Sequence, residues 1–262
     1  MNEITTTQAD EEPIATTSDM VAIAASSEHA TKVSTAKRYP RSIKAFKQTL
    51  FELACMDEET AASCFYVIPR AGKTIEGPSV RFAEIVASCW GNLQYGSRVI
   101  ALDDEWITTQ GICYDYEKNN SCSFEVRKRI TDKNGRRYSE DMIEVTGRAT
   151  CAKAFREAVF KIVPRPFWQQ AYEQAKLTSI GKGKTMAKMR EDCFNTFKKA
   201  GINDKQLLTF IGRSGIDDVT TDDIITLRGV WTAAKEEGVS VESLLVQSNA
   251  GETNRVQPPK LQ

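Results

Sequence analysis

Between residues 121 and 165 the chain carries eleven basic residues against six acidic ones. Arg127, Lys128 and Arg129 are consecutive on a strand-like run. Lys133, Arg136 and Arg137 follow at its tip, and Arg148, Lys153, Arg156 and Lys161 ride a later helical stretch. Cations in a row along a strand or helix can follow a line of phosphates, and the Tyr, Trp and Phe rings among them offer faces on which bases stack. Each also has a plainer use. Most surface charges only solvate a fold, Arg148 has Glu144 and Asp141 nearby to pair with, and a lone aromatic can simply pack a core. Upstream, Arg70 and Lys73 flank a turn at Ala71-Gly72, and Arg81 lies on the helix that follows.

Other chemistry is poorly supported. Gly183-Lys184-Thr185 ends like a P-loop, but Thr178 stands where the first glycine of GxxxxGK[ST] belongs, and a helical pattern precedes it where a strand is required. A flexible basic linker is the better account. Asp103/Asp104, Asp217/Asp218, Asp222/Asp223 and Glu236/Glu237 read as sitting at turns or helix starts, where turn and dipole chemistry explains them. The seven cysteines include no CxxC pair and lie mostly in apolar or strand-like runs, as buried free thiols do. The single histidine, His29, lies in a polar tail, remote from any ligand cluster or triad partner. The expectation is a protein that is not an enzyme, with no cofactor and no metal.

At 262 residues, 41% hydrophobic and 27% charged, the chain suits one sizeable globular domain with appendages. A net charge of zero conceals an asymmetry. Residues 1–30 hold six acidic and no basic side chains, 201–262 hold nine acidic and six basic, and 31–200 hold 29 basic and 20 acidic. A basic body between acidic ends suits a polyanion partner, although a mixed solvated surface gives the same balance. No apolar run is long enough for a membrane helix, and the N-terminus has no basic start or apolar core of a signal peptide, so a cytoplasmic protein with no membrane partner is expected.

These side chains need elements to position them. Residues 1 to about 36 are polar and aperiodic and predict a disordered acidic tail. Pro40 opens a helix whose Ile43, Phe46, Leu50 and Leu53 share a face. Residues 64–77 predict a hairpin, and Pro78-Ser79 starts a helix with Val80, Ala83, Val86 and Trp90 on one side, ended by Gly91. Alternating segments then predict a meander over 93–101, 106–116 and 122–130, with a further strand from Tyr138 to Val145. A helix over about 148–163 carries the stripe Ala149, Ala152, Phe155, Val159 and Ile162, and Pro166 begins another. The predicted class is α+β, an antiparallel β-hairpin and β-meander packed on helices, plus a small C-terminal helical module. The divisions are an acidic tail (1–36), a core (37–178), a basic linker and helix (179–201), an acidic helical module (202–247) and a tail (248–262).

The order IEGPSVRFAEIVASCWGNLQYG, meander, RATCAKAFREAVFKIVP resembles the phage-type single-strand annealing recombinases, the RecT, Red-beta and Erf group. It is also similar to the eukaryotic annealing mediators, which share a β-β-β-α core with that group. Glu76, Gly77, Val80, Ala83 and Gly91 match their Glu-Gly turn, helix and closing glycine, and the resemblance spans about residues 40–175 and the terminal helices. The mediators' adjacent basic residues late in the helix are thinned here to Arg156 and Lys161, with Glu157 and Phe160 between. The resemblance implies ATP-independent binding and annealing of single-stranded DNA (ssDNA) by a homo-oligomeric ring or helical filament, with the strand in a groove between sheet and helix. Arg81, Lys153, Arg156 and Lys161 would then contact phosphates along the groove, with Arg70, Lys73 and Arg148 beside it. Arg127, Arg129, Arg136 and Arg137 would form an outer strip for the incoming strand. Residues 202–247 would dock a partner exonuclease or host single-strand binding protein, or simply solubilise the chain. The alternative expectation is a phage interaction or assembly protein whose basic face binds an acidic protein.

Overall fold

Short polar side chains begin most of the helices. Ser42, Asp57, Ser79, Ser139, Thr185, Asn203 and Thr220 each accept a hydrogen bond from a backbone N–H three residues on, satisfying a donor that the first helical turn leaves free. A computed structural model of the chain describes residues 17–70, 73–181 and 183–249. In order the elements are α1 (Thr17–Arg38), α2 (Ile43–Ala54), α3 (Glu58–Ser63), β1 (Phe65–Arg70), β2 (Lys73–Pro78), α4 (Val80–Trp90) and β3 (Leu93–Leu102). They continue with β4 (Trp106–Asp115), β5 (Asn120–Arg129), α5 (Glu140–Ile162), α6 (Arg165–Thr178), α7 (Met186–Lys199), α8 (Asp204–Ile211), a 3-10 turn at Ile216–Asp218, α9 (Thr221–Glu237) and α10 (Val241–Asn249). The protein is α+β, with an antiparallel hairpin β1-β2 and a separate antiparallel meander in the order β3-β4-β5. Among the described residues no helix is long and apolar enough to cross a membrane.

The long helix α5 lies directly on the inner face of the meander. Ile107, Thr109, Gly111, Cys113 and Asp115 alternate inward along β4 and are buried, while Trp106, Thr108, Gln110, Ile112 and Tyr114 face outward. Gly111 makes this contact possible: a Cβ there would stand 2.0 Å from the Ala154 carbonyl oxygen, so only glycine admits the helix backbone. On the hairpin side, Ser79 links α4 to the chain before it, its hydroxyl donating to the Ser63 carbonyl at 2.5 Å. Phe46, Leu50, Phe82, Val86, Val159 and Trp168 join one buried core between α2, α4, α5 and α6.

Three sequence expectations need correction. Residues 17–36, expected to be disordered, form most of α1; alanines at 22, 24, 25, 30 and 36 favour a helix that shows little apolar face, and among its described side chains only Ala36 is fully packed. Residues 1–16 of that tail, and 250–262 at the other end, lie outside the described residues. The strand expected from Tyr138 to Val145 is the first part of α5. Ser139 caps it, Glu140 and Asp141 favour its N-terminal dipole, and Ile143, Thr146 and Gly147 are buried at helical spacing. The preceding tip is closed by the bridge Thr131↔Arg137, with the Tyr138 N–H donating to the Ile130 carbonyl at 2.9 Å. Finally, the terminal helices are no separate module. α9 lies against β1, and Leu227, Val230 and Ala233 belong to the same core as Phe82. Gly229 meets Val67 so closely that a Cβ would approach its Cγ2 to 2.3 Å, and the Thr232 hydroxyl donates to the Ala62 carbonyl at 3.0 Å.

Candidate nucleic-acid interface

The eleven candidate cations fall into distinct environments. On the inner side, Lys128, Lys153 and Arg156 converge on the last two carboxylates of α9. Lys153 pairs with Glu237, which also takes Lys128 Nζ at 3.2 Å, and Arg156 reaches Glu236 at 3.6 Å and Glu157 at 3.3 Å. The Arg156 guanidinium is buried and lies 4.7 Å from the centre of the Tyr66 ring. Glu236 further accepts from the Val80 backbone N–H at 2.6 Å, at the start of α4. Burial would raise the Glu237 carboxyl, but its lysine partners more than offset this and hold it below the usual carboxylate range. Burial dominates at Glu236, raising its carboxyl despite Val80 and Arg156.

The groove expected between sheet and helix is closed at this point, because α5 is seated directly on β4. With α5 seated on β4 at Gly111 and Lys153 and Arg156 held by α9, these two side chains are neutralised within the fold. Arg81 is exposed and pairs with Glu84 at 2.7 Å, and Arg148 is exposed and pairs with Glu144, one of its two nearby carboxylates in the sequence. Both line a cleft of about 1030 Å³ between α4, α5, α7 and α9, with Arg228, Trp231 and Lys235 on its α9 side. Lys161 is exposed at the end of α5 with no ion-pair partner among the described residues. The side chains of Arg70 and Lys73 lie outside the described residues.

The outer strip has a different character. Arg127 and Arg129 project from the open face of β5, and the register sets Arg129 opposite Trp106 and Arg127 opposite Thr108. Their guanidinium carbons lie 4.5 and 5.0 Å from the centre of the Trp106 ring. This is cation–π distance, and it leaves both cations at the surface. Asp103 lies 3.6 Å from Arg127, Glu105 lies 3.4 Å from Arg129, and Arg137 donates to the Asp103 carbonyl at 2.6 Å. Arg136 is exposed, and its side chain has no ion-pair partner among the described residues. Exposed pairs of this kind are worth about 0–1 kcal/mol and exchange readily for a phosphate. Arg98 on β3 continues the same face, bonding Gln110 at 3.1 and 3.2 Å. Trp106 was visible in the sequence only as one aromatic of an alternating run. Its place beside the arginines required the strand register.

Lys184, the lysine of the Gly-Lys segment, donates to Glu58 at 2.6 Å and Asp192 at 2.9 Å, after α6 and before α7. Among the described residues no group of three or more His, Cys, Asp or Glu side chains is placed to hold a metal ion. The cysteines are free, and burial pushes the thiols of Cys64 and Cys113 up to about 12.

Neither the protein-family models, nor the curated proteins, nor the solved structures contain a match to this chain.

Proposed function

We propose that this chain binds and anneals single-stranded DNA without ATP, in recombination of the phage type, as a homo-oligomer. The observation that carries the proposal is the outer strip: a tryptophan flanked by two exposed arginines on the open face of a three-stranded sheet, with Arg98, Arg136 and Arg137 around it. Arginines there neutralise phosphates while Trp106 offers a stacking face that tolerates any base. Their present partners, Asp103 and Glu105, are exposed and cost little to displace. Neutralising the backbones lowers the repulsion between two strands, and pairing itself supplies the free energy of annealing, so nucleotide hydrolysis has no necessary part in it. Lys184 is engaged with two carboxylates, which accords with a structural role for the Gly-Lys segment.

A second reading is favoured by one observation. Lys161 and Arg136 are exposed with no ion-pair partner among the described residues, and carboxylates of an acidic protein would satisfy them as well as phosphates. Titration of labelled ssDNA over a salt series separates the two. The annealing reading expects binding that weakens steeply and linearly in log salt. Unchanged mobility of ssDNA at low salt, with capture of an acidic protein, would instead support the second.

A further inference from the structure

Two stretches far apart in the chain are basic without a single carboxylate. Residues 37–51 hold Lys37, Arg38, Arg41, Lys44 and Lys47, and residues 158–172 hold Lys161 and Arg165. Packing brings them side by side. α2 lies along α6, and Lys47 Nζ stands 6.0 Å from the centre of the Phe167 ring. Lys161 and Arg165 straddle the corner at Pro164 where α5 gives way to α6. Arg41 alone turns inward, its guanidinium bound to Asp115 and Glu117. Lys44, Lys47, Lys161 and Arg165 remain exposed and form no ion pair among the described residues.

This contrasts with the inner cations, which meet carboxylates contributed by α9. Four exposed cations without a carboxylate partner give these helices a locally positive field that attracts an anionic ligand. Lys44, Lys47 and Phe51 share one face of α2 at three- and four-residue steps, and Phe51 is 40% exposed. Rings interleaved with free cations match a nucleic-acid strand, which presents bases along with charge, better than an acidic protein surface.

We infer that the face formed by α2, the end of α5 and the start of α6 is a phosphodiester-binding track for single-stranded DNA, with Lys44, Lys47, Lys161 and Arg165 as its cations. The inference rests on the annealing reading and supplies the second of two tracks, since bringing two strands together requires both to be held. The meander strip around Trp106 is the other.

Fluorescence anisotropy with labelled oligothymidylate tests it, on the full chain across a salt series. Lys47→Glu/Arg165→Glu should weaken binding by about tenfold or more. The neutral quadruple variant Lys44→Gln/Lys47→Gln/Lys161→Gln/Arg165→Gln should flatten the log-affinity against log-salt slope by about 0.7 for each cation removed. Lys199→Glu/Lys205→Glu, matched in net charge on α7 and α8, should bind within about threefold of wild type, and circular dichroism should show all variants folded. Binding by Lys47→Glu/Arg165→Glu equal to that control overturns the track, and leaves the annealing reading standing when wild type binds and anneals. Failure of the wild type to bind the oligonucleotide overturns both. Unaltered DNA binding with lost retention on polyglutamate would assign the face to an acidic protein and overturn the DNA assignment.

Discussion

At the scale of residues, burial separates the cations that hold the fold from those free to meet a ligand. Arg41 is the clearest structural case. Its guanidinium grips Asp115 in a two-pronged pair at 2.5 Å, bonds Glu117 at 3.0 Å, and lies 4.6 Å from the centre of the Trp90 ring, whose Nε1–H donates to the same aspartate at 3.1 Å. Both partners of the pair are almost fully buried. Removing Arg41 would strand the Asp115 charge, so Arg41→Ala should cost about 3–5 kcal/mol in urea unfolding. Burial would raise the Asp115 carboxyl, but the Arg41 and Trp90 hydrogen bonds more than offset it and hold it below its ordinary 3.8. A depressed carboxylate contributes stability that is complete above that ordinary value and is lost as pH falls through the lower, folded one. The urea midpoint should therefore decline as pH drops below about 4, and Asp115→Asn should lose that part of the decline; an unaltered pH profile in the variant would contradict this assignment. By contrast, Trp106→Ala removes a half-buried ring from an open face. It should leave the free energy of urea unfolding within about 1 kcal/mol of wild type while weakening ssDNA binding by about 1–3 kcal/mol, the worth of one stacked base.

At the scale of elements, α9 joins what the sequence presents as two regions. Leu227 is fully buried among residues of the main core, so Leu227→Ala should cost about 2–5 kcal/mol and unfold the chain in a single transition. Two separate transitions would show that the terminal helices fold apart from the core. At the other end of α9, Glu237→Gln weakens the hold on Lys128 and Lys153 and should cost roughly 1–3 kcal/mol, read by the same unfolding. Much of this architecture was legible in the sequence. Ser79 and Gly91 bound α4, the Asn and Asp corners bound the strands, and the apolar stripe of α5 is visible from Ala149 onward, because caps, turns and periodicity are local signals. Illegible were the features decided by distant partners. Met142 to Val145 alternates as a strand would, yet Ile143 is buried against Ile107 and Ile130 as part of a helix. The pairing of Lys153 with Glu237 spans eighty-odd positions that no periodicity links. The acid-free stretches at 37–51 and 158–172 were readable as composition, and only the packing of α2 on α6 makes them one face.

At the scale of the whole molecule, charge is sorted and not merely balanced. The acidic residues of α9 neutralise the inner basic set, while exposed cations stand on the open face of the meander and along α2 and α6. On the proposed reading, two surface tracks on one protomer would hold two strands, and a homo-oligomer would repeat both along the DNA. An assembly of this kind should sediment as a multimer on ssDNA, and a strictly monomeric complex would argue against it. The most direct test is the rate at which two complementary oligonucleotides pair in nucleotide-free buffer, with the protein and without it. The account expects the protein to accelerate pairing, the acceleration to fade as salt rises, and added ATP to leave it unchanged; pairing no faster than in the protein-free control would contradict it.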